Sequence, residues 1–219
     1  MSQTVVIRKA LAAANPALFA ASQTPVSGTP LTLVGTPTAD TQRYVLVTYG
    51  NEAAPRTLTL LGVNDAGSPV TEVITIPSGA PGTIASVNNY RTLTSAVPAG
   101  GGWTAAMTLG TNTQGSTQWF IPNGEIAPFS LGVAAELISG AANFQIDGTY
   151  DSPLAQVSLT IGYAQNPVPV PIVTILPGMG PSGSNIYGSI TQPIAGYRLT
   201  INSGTGTVQM TANQAGVRN

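Results

Sequence analysis

Residues 55–77 read Pro55-Arg-Thr-Leu-Thr-Leu-Leu-Gly-Val-Asn-Asp-Ala-Gly-Ser-Pro-Val-Thr-Glu-Val-Ile-Thr-Ile-Pro77, and their reading decides the fold class. Leu58 and Leu60 alternate with Thr57 and Thr59 ahead of the polar break, and Ile74 and Ile76 alternate with Val73 and Thr75 behind it. That is the period of two imposed by a pleated strand. Asn64-Asp65-Ala66-Gly67 supplies the reversal, because Asn and Asp bond their own backbone and Gly accepts a positive φ. The stretch predicts a β-hairpin in which Leu58, Leu60, Ile74 and Ile76 anchor a core and residues 64–67 form an exposed tip.

The same pattern extends in both directions. Upstream, residues 31–34 and 43–49 read as strands, and apolar residues on both faces of 43–49 predict a strand buried on both sides. Downstream, strands are expected over 83–87, 90–97 and 103–109. A second series follows at 119–121, 129–138, 143–150, 153–163, 172–176, 186–191, 196–202 and 205–213. Residues 131–137 are assigned to strand because Gly132 weakens a helix. Tyr197, Leu199 and Ile201, then Val208 and Met210, repeat the alternation across Ser203-Gly-Thr-Gly206 and predict a second hairpin. Residues 110–117 are polar and lack large apolar side chains, which makes them the expected domain boundary. The fold class expected is all-β: two antiparallel β-sandwich domains, jelly-roll-like, in series over 30–112 and 113–219. Residues 1–29 precede them as a short extended arm. Arg8-Lys9 and the Ala-rich run after it superficially resemble a secretory signal, but Asn15-Pro16 interrupts the run and the basic pair follows an apolar triplet. No stretch has the ~18 uninterrupted apolar residues of a membrane-spanning helix.

A chain of 219 residues can bury a core without disulfides or metals. Only 7% of it is charged, against roughly 25% in an ordinary soluble domain, so its surface is largely Thr, Ser, Asn, Gln and Gly. The net charge of −1 and the seven scattered basic residues leave nothing to track a phosphate backbone, and no nucleic-acid partner is expected. With no Cys and no His the chain lacks the thiol nucleophile, the imidazole base and the two commonest transition-metal ligands. A surface this poor in charge suits a subunit packed against copies of itself.

Gly178-Met-Gly-Pro-Ser-Gly183 has the G-x-G-x-x-G spacing of a phosphate-cradling loop, but Pro177 and Pro181 and the lack of a following helical pattern make it a Gly/Pro loop. Asp147 and Asp151 flank Gly148-Thr-Tyr150 as a conceivable carboxylate pair or calcium site, and a turn explains them more simply. Glu52, Glu72, Glu125 and Glu136 stand alone, as solvated strand residues or partners of Arg56 or Arg91. Trp103, Trp119 and Phe120 admit a sugar- or base-stacking platform, with core packing the better use. Asn166-Pro-Val-Pro-Val-Pro171 reads as an extended connector. No catalytic, cofactor-binding or metal-ligating residue is therefore expected.

The stretch from Arg56 to Ile74, Tyr90-Arg-Thr-Leu-Thr-Ser95, Met107-Thr-Leu-Gly-Thr-Asn112, Ser116-Thr-Gln-Trp-Phe120, Pro128-Phe-Ser130 and the ending from Tyr197 to Gly216 together resemble a group of β-rich virion structural proteins of tailed bacteriophages. The resemblance spans roughly residues 40–216 and rests on turn and strand signatures. The loop over 167–183 departs from it. The resemblance implies a non-enzymatic particle component located in the virion and assembled in the host cytoplasm, with no cofactor. Its expected role is capsid decoration through many modest subunit contacts, with other virion proteins as partners and a homo-oligomer, by the same resemblance a trimer. A neck or tail component, or a carbohydrate-binding receptor module, are the alternatives.

Overall fold

The computed structural model describes residues 3–34, 38–124, 126–150, 170–171 and 181–218. The described residues are all-β, in antiparallel sheets, and contain no helix. The chain divides into two compact units, one of residues 13–115 and the other of residues 1–12 with 116–219. This division differs from the expected arm over 1–29. Strand β1 (Gln3–Ala10) lies along β13 (Thr207–Arg218), from Gln3 opposite Gln214 to Ala10 opposite Thr207. Val5 and Ile7 pack against a core while Thr4, Val6 and Arg8 face outward. The alternation is that of a strand, and the Ala-rich residues after it mask the signal.

The unit over 13–115 holds β2 (Ala20–Gln23), β3 (Thr38–Tyr49), β4 (Arg56–Val63), β5 (Pro69–Ile76), β6 (Gly82–Ala99) and β7 (Met107–Ser116). β4 and β5 form the expected hairpin, with Leu58 opposite Ile74. Leu58, Leu60, Ile74 and Ile76 are all buried, each stabilising the fold by about 1.5–3 kcal/mol relative to exposure. Asn64 organises the tip: its Oδ1 accepts from the amides of Ala66 and Ser68, at 3.0 and 2.9 Å. Strand β6 serves two ladders, pairing its first half with β3 and its second with β4. It thereby joins the two ladders in the strand order β7-β3-β6-β4-β5, whose strands share one core of Val45, Val47, Leu58, Leu60, Ile74, Tyr90 and Leu109. On β3, Val45, Val47 and Tyr49 are buried, whereas Tyr44 and Leu46 are half-buried and Thr48 is exposed. The expectation of full burial on both faces is corrected accordingly.

Residues 110–116 belong to β7, and the division between the two units falls between Gly115 and Ser116, inside the stretch expected as the boundary. Small polar side chains hid this strand, and they are satisfied inside the fold: the Thr111 hydroxyl accepts from the Asn15 amide at 3.2 Å. Glu72 is a second polar residue at a core phase, in register with Val70, Ile74 and Ile76. Three residues of β6, Ser86, Val87 and Asn88, bulge opposite Val45. The Glu72 carboxylate accepts from the Val87 and Asn88 amides at 2.7 and 2.9 Å. A charged acceptor thus satisfies donors that the bulge has taken out of the ladder.

The other unit adds β8 (Ile126–Ser139), β9 (Ala142–Thr149), β10 (Val170–Pro171), β11 (Ile186–Ile190) and β12 (Gly196–Gly204) to β1 and β13. One sheet runs β1-β13-β8-β11, and β9 pairs with both β10 and β12. Leu131, Val133 and Met210 from the first set meet Phe144, Ile146, Leu199 and Ile201 from the second, which makes a β-sandwich. The second expected hairpin is corrected here. β12 pairs with β9 and β13 pairs with β8 and β1, so residues 203–206 arch from one sheet to the other. Alternation fixes which face is buried, and Tyr197, Leu199, Ile201, Val208 and Met210 do bury one face, but it does not fix the neighbour. The β8 to β9 connection arches in the same way, and Gly206 N–H donates to the Ala141 carbonyl at 2.9 Å, stacking the two arches. Residues 119–121 form no strand; Phe120 makes an isolated bridge to Tyr197. The expected strands over 153–163 and 172–176 lie outside the described residues, as do most of the connector and the Gly/Pro loop.

Candidate interaction surface

Among the described residues, those singled out for chemistry make contacts within the fold. Asp147 is 2% exposed. Its Oδ2 accepts from Arg198 Nε at 3.1 Å and from the Thr200 hydroxyl at 2.6 Å, while Oδ1 accepts from Gln145 Nε2 at 2.6 Å. These four side chains share the face of β9 and β12 that points away from Phe144, Ile146 and Leu199. Asp151 lies outside the described residues. The Arg198 guanidinium stacks on Trp119, 4.6 Å from the ring centroid, so one face of that ring is covered. Phe120 packs on Tyr197 with centroids 5.7 Å apart, and Trp103 sits in the core of the 13–115 unit. Each of the three aromatics is packed within its own unit.

The solitary carboxylates have partners. Glu52 is buried beside Arg56, with Nε and Oε2 3.5 Å apart, and also accepts from the Ala105 amide at 3.1 Å. Arg56 donates in turn to the carbonyls of Gly100 and Gly102. Arg91 lies 3.8 Å from Asp65, and Glu136 accepts from the Tyr187 hydroxyl at 3.1 Å. Glu125 lies outside the described residues. Among the described residues, no group of three His, Cys, Asp or Glu side chains is placed to hold a metal ion.

Two tyrosines carry the perturbed titrations. Burial pushes Tyr197 up to about 12, and burial with the nearby Glu72 charge pushes Tyr90 well above the usual phenol range. A phenol raised in the folded state contributes stability that is fully present below the unfolded value and is lost as pH rises through the folded one. Stability set by these two groups is therefore level up to about pH 10 and falls above it. In an alkaline titration followed by phenolate absorbance, Tyr90 and Tyr197 should ionise only above the usual phenol range.

What the fold leaves open is a surface. The outer face of the β1-β13-β8-β11 sheet is built in register: Val6, Thr211, Ala134 and Tyr187 form one row across four strands, and Thr4, Asn213, Gly132 and Ser189 form the next. Val6 is 60% exposed and Tyr187 64%. The charges on this face lie in one further row: Arg8 donates to Gln209 Oε1 at 2.7 Å, and Glu136 lies opposite Gln209. Among the described side chains the remainder is neutral and mostly small, with Ile138 44% exposed toward one end. The sequence carried this signal as Thr/Ala/Gly/Ser positions alternating with core residues, but which strands would lie side by side was not readable.

No protein-family model matches the chain, and no curated protein does. The solved crystal structure of PBSX exported protein XepA is similar over 95% of this chain and 86% of its own, at 10% identity and a TM-score of 0.24.

Proposed function

We propose that this chain is a non-enzymatic structural subunit of a tailed-phage virion, a capsid decoration protein of two jelly-roll-like sandwiches acting through subunit contacts. The observation that carries this reading is the four-strand face of mostly small, neutral side chains, with Val6, Ile138 and Tyr187 exposed on it. Small side chains let another surface approach closely, and little charge has to be desolvated on contact. The sparse charge of the whole chain and the sequence resemblance point the same way. The partners in this reading are the shell proteins and further copies of the chain, arranged as a trimer. Many copies of a modest interface hold by avidity.

The test is cosedimentation of the purified protein with shells lacking it. Saturable binding of many copies per shell is expected, and Ala134→Glu, which puts a charge in the middle of the face, should weaken it by about tenfold or more. Failure to bind shells, together with binding to isolated tails or necks, would move the subunit to those structures. Failure to bind any virion part overturns the reading.

A further inference from the structure

Strand β5 ends its sheet: it pairs with β4 on one side, and no described residue pairs with the other. The direction of its free backbone groups follows from the hairpin. Asn64 N–H donates to the Ser68 carbonyl across the loop. By the alternation of an antiparallel ladder, Val70, Glu72, Ile74 and Ile76 turn their N–H and C=O groups to β4, and Thr71, Val73 and Thr75 turn theirs to the open edge. Pro69 and Pro77 share that outward phase and have no N–H to offer. The open edge is therefore a short ladder template closed by proline at both ends.

At its outward-facing positions that template is symmetric about Val73, with Thr71 against Thr75 and Pro69 against Pro77; at the inward-facing ones Val70 stands against Ile76 and Glu72 against Ile74. We propose that β5 pairs antiparallel with β5 of a second copy of this chain, across a two-fold axis at Val73. In that register Val73 meets Val73, and Thr71 meets Thr75 twice, each pair exchanging both backbone bonds. The outer face of the joint is β-branched throughout, with Val73 59% exposed in the single chain. No like charges are set opposite each other. The single carboxylate, Glu72, turns inward and is held by the Val87 and Asn88 amides of its own chain.

The other edges differ. β1 carries Arg8 and Lys9 at one end and has no such symmetry, β11 is five residues long, and the first half of β6 is bent by its bulge. Within 70–76, β5 has no Lys, no Pro and no break in its register with β4, and its one inward-pointing charge, Glu72, is already bonded to amides of its own chain. A two-fold joint at β5 is a different contact from the three-fold one of the proposed function, and shares with it only the choice of another copy of the chain as partner. A chain that pairs through β5 but binds no virion part overturns the particle role and leaves this inference standing.

The full chain contains no cysteine, so single cysteines report the register directly. At the two-fold, facing Cα atoms are about 5.5 Å apart, within disulfide range. Thr75, whose own mate is Thr71, lies about 13 Å from its copy. Under mild oxidation Val73→Cys should give a disulfide-linked dimer, and Thr75→Cys should do so at least about tenfold more slowly. Val73→Lys should abolish concentration-dependent dimerisation in sedimentation while leaving the circular dichroism spectrum unchanged. Equal cross-linking of the two cysteine variants, a wild-type chain monomeric at all concentrations, or a Val73→Lys chain that still dimerises would each overturn the pairing.

Discussion

Replacing Asp147 with Ala is expected to lower stability by about 3–5 kcal/mol, the usual cost of stripping one partner from a buried ion pair. The carboxylate is 2% exposed, and Arg198 beside it is 6% exposed. The substitution leaves a guanidinium with its Trp119 stack but without its counter-charge, 3.1 Å away in the native protein. The Thr200 hydroxyl and the Gln145 amide also lose their acceptor, and each unsatisfied buried group costs about 1–3 kcal/mol. Asp147→Asn keeps the shape but not the charge and should fall between. The discriminating variant is Asp147→Leu with Arg198→Met. If the pair is a structural device, removing both charges should recover part of the loss in urea unfolding, because neither ion is then left uncompensated, while the Thr200 hydroxyl and the Gln145 amide still lack their acceptor. A double variant as unstable as Asp147→Ala would show that the two residues are held by something other than each other.

The sequence reading and the structure agree where the determinants are local. The 55–77 hairpin was legible because its reversal is written in four adjacent residues, Asn64 to Gly67, and the alternation on either side needs no distant partner. The strand over 131–137 was legible for the same reason. Where the fold depends on residues far apart, the chain gives no local sign. Arg198 lies 51 residues from Asp147, so Asp147 read as a turn residue or half of a carboxylate pair. Glu72 read as solvated because nothing in the sequence places the 86–88 bulge over it. The polar run 110–116 lacks the apolar alternation by which strands are recognised, yet its Thr111 and Ser116 are buried. The open sheet face was invisible as a surface for a related reason: its rows are assembled from β1, β13, β8 and β11, strands that lie far apart in the chain.

The corrected second hairpin yields the other large effect. Gly67 and Gly204 have similar backbone conformations, with φ of 78° and 90°, and a sequence reading treats both as turn glycines. Their surroundings differ. A Cβ at Gly67 would meet no heavy atom within 4 Å, whereas at Gly204 it would fall 2.3 Å from the Ala141 carbonyl oxygen and 2.8 Å from the Ala142 Cα. Gly67→Ala should therefore cost only the left-handed backbone penalty, about 1–2 kcal/mol. Gly67→Asn should recover part of it, since Asn tolerates that region. Gly204→Ala adds an overpacking cost of about 1–3 kcal/mol, for a total of roughly 2–5 kcal/mol, and Asn brings no relief there because the obstruction is backbone. The obstruction exists because 203–206 is an arch lying against the arch that joins β8 to β9, a contact a hairpin between β12 and β13 would not create. Urea midpoints for the four single variants separate the alternatives: Gly204→Asn tolerated as well as Gly67→Asn would mean that the chain turns back on itself at 203–206 and does not cross between sheets.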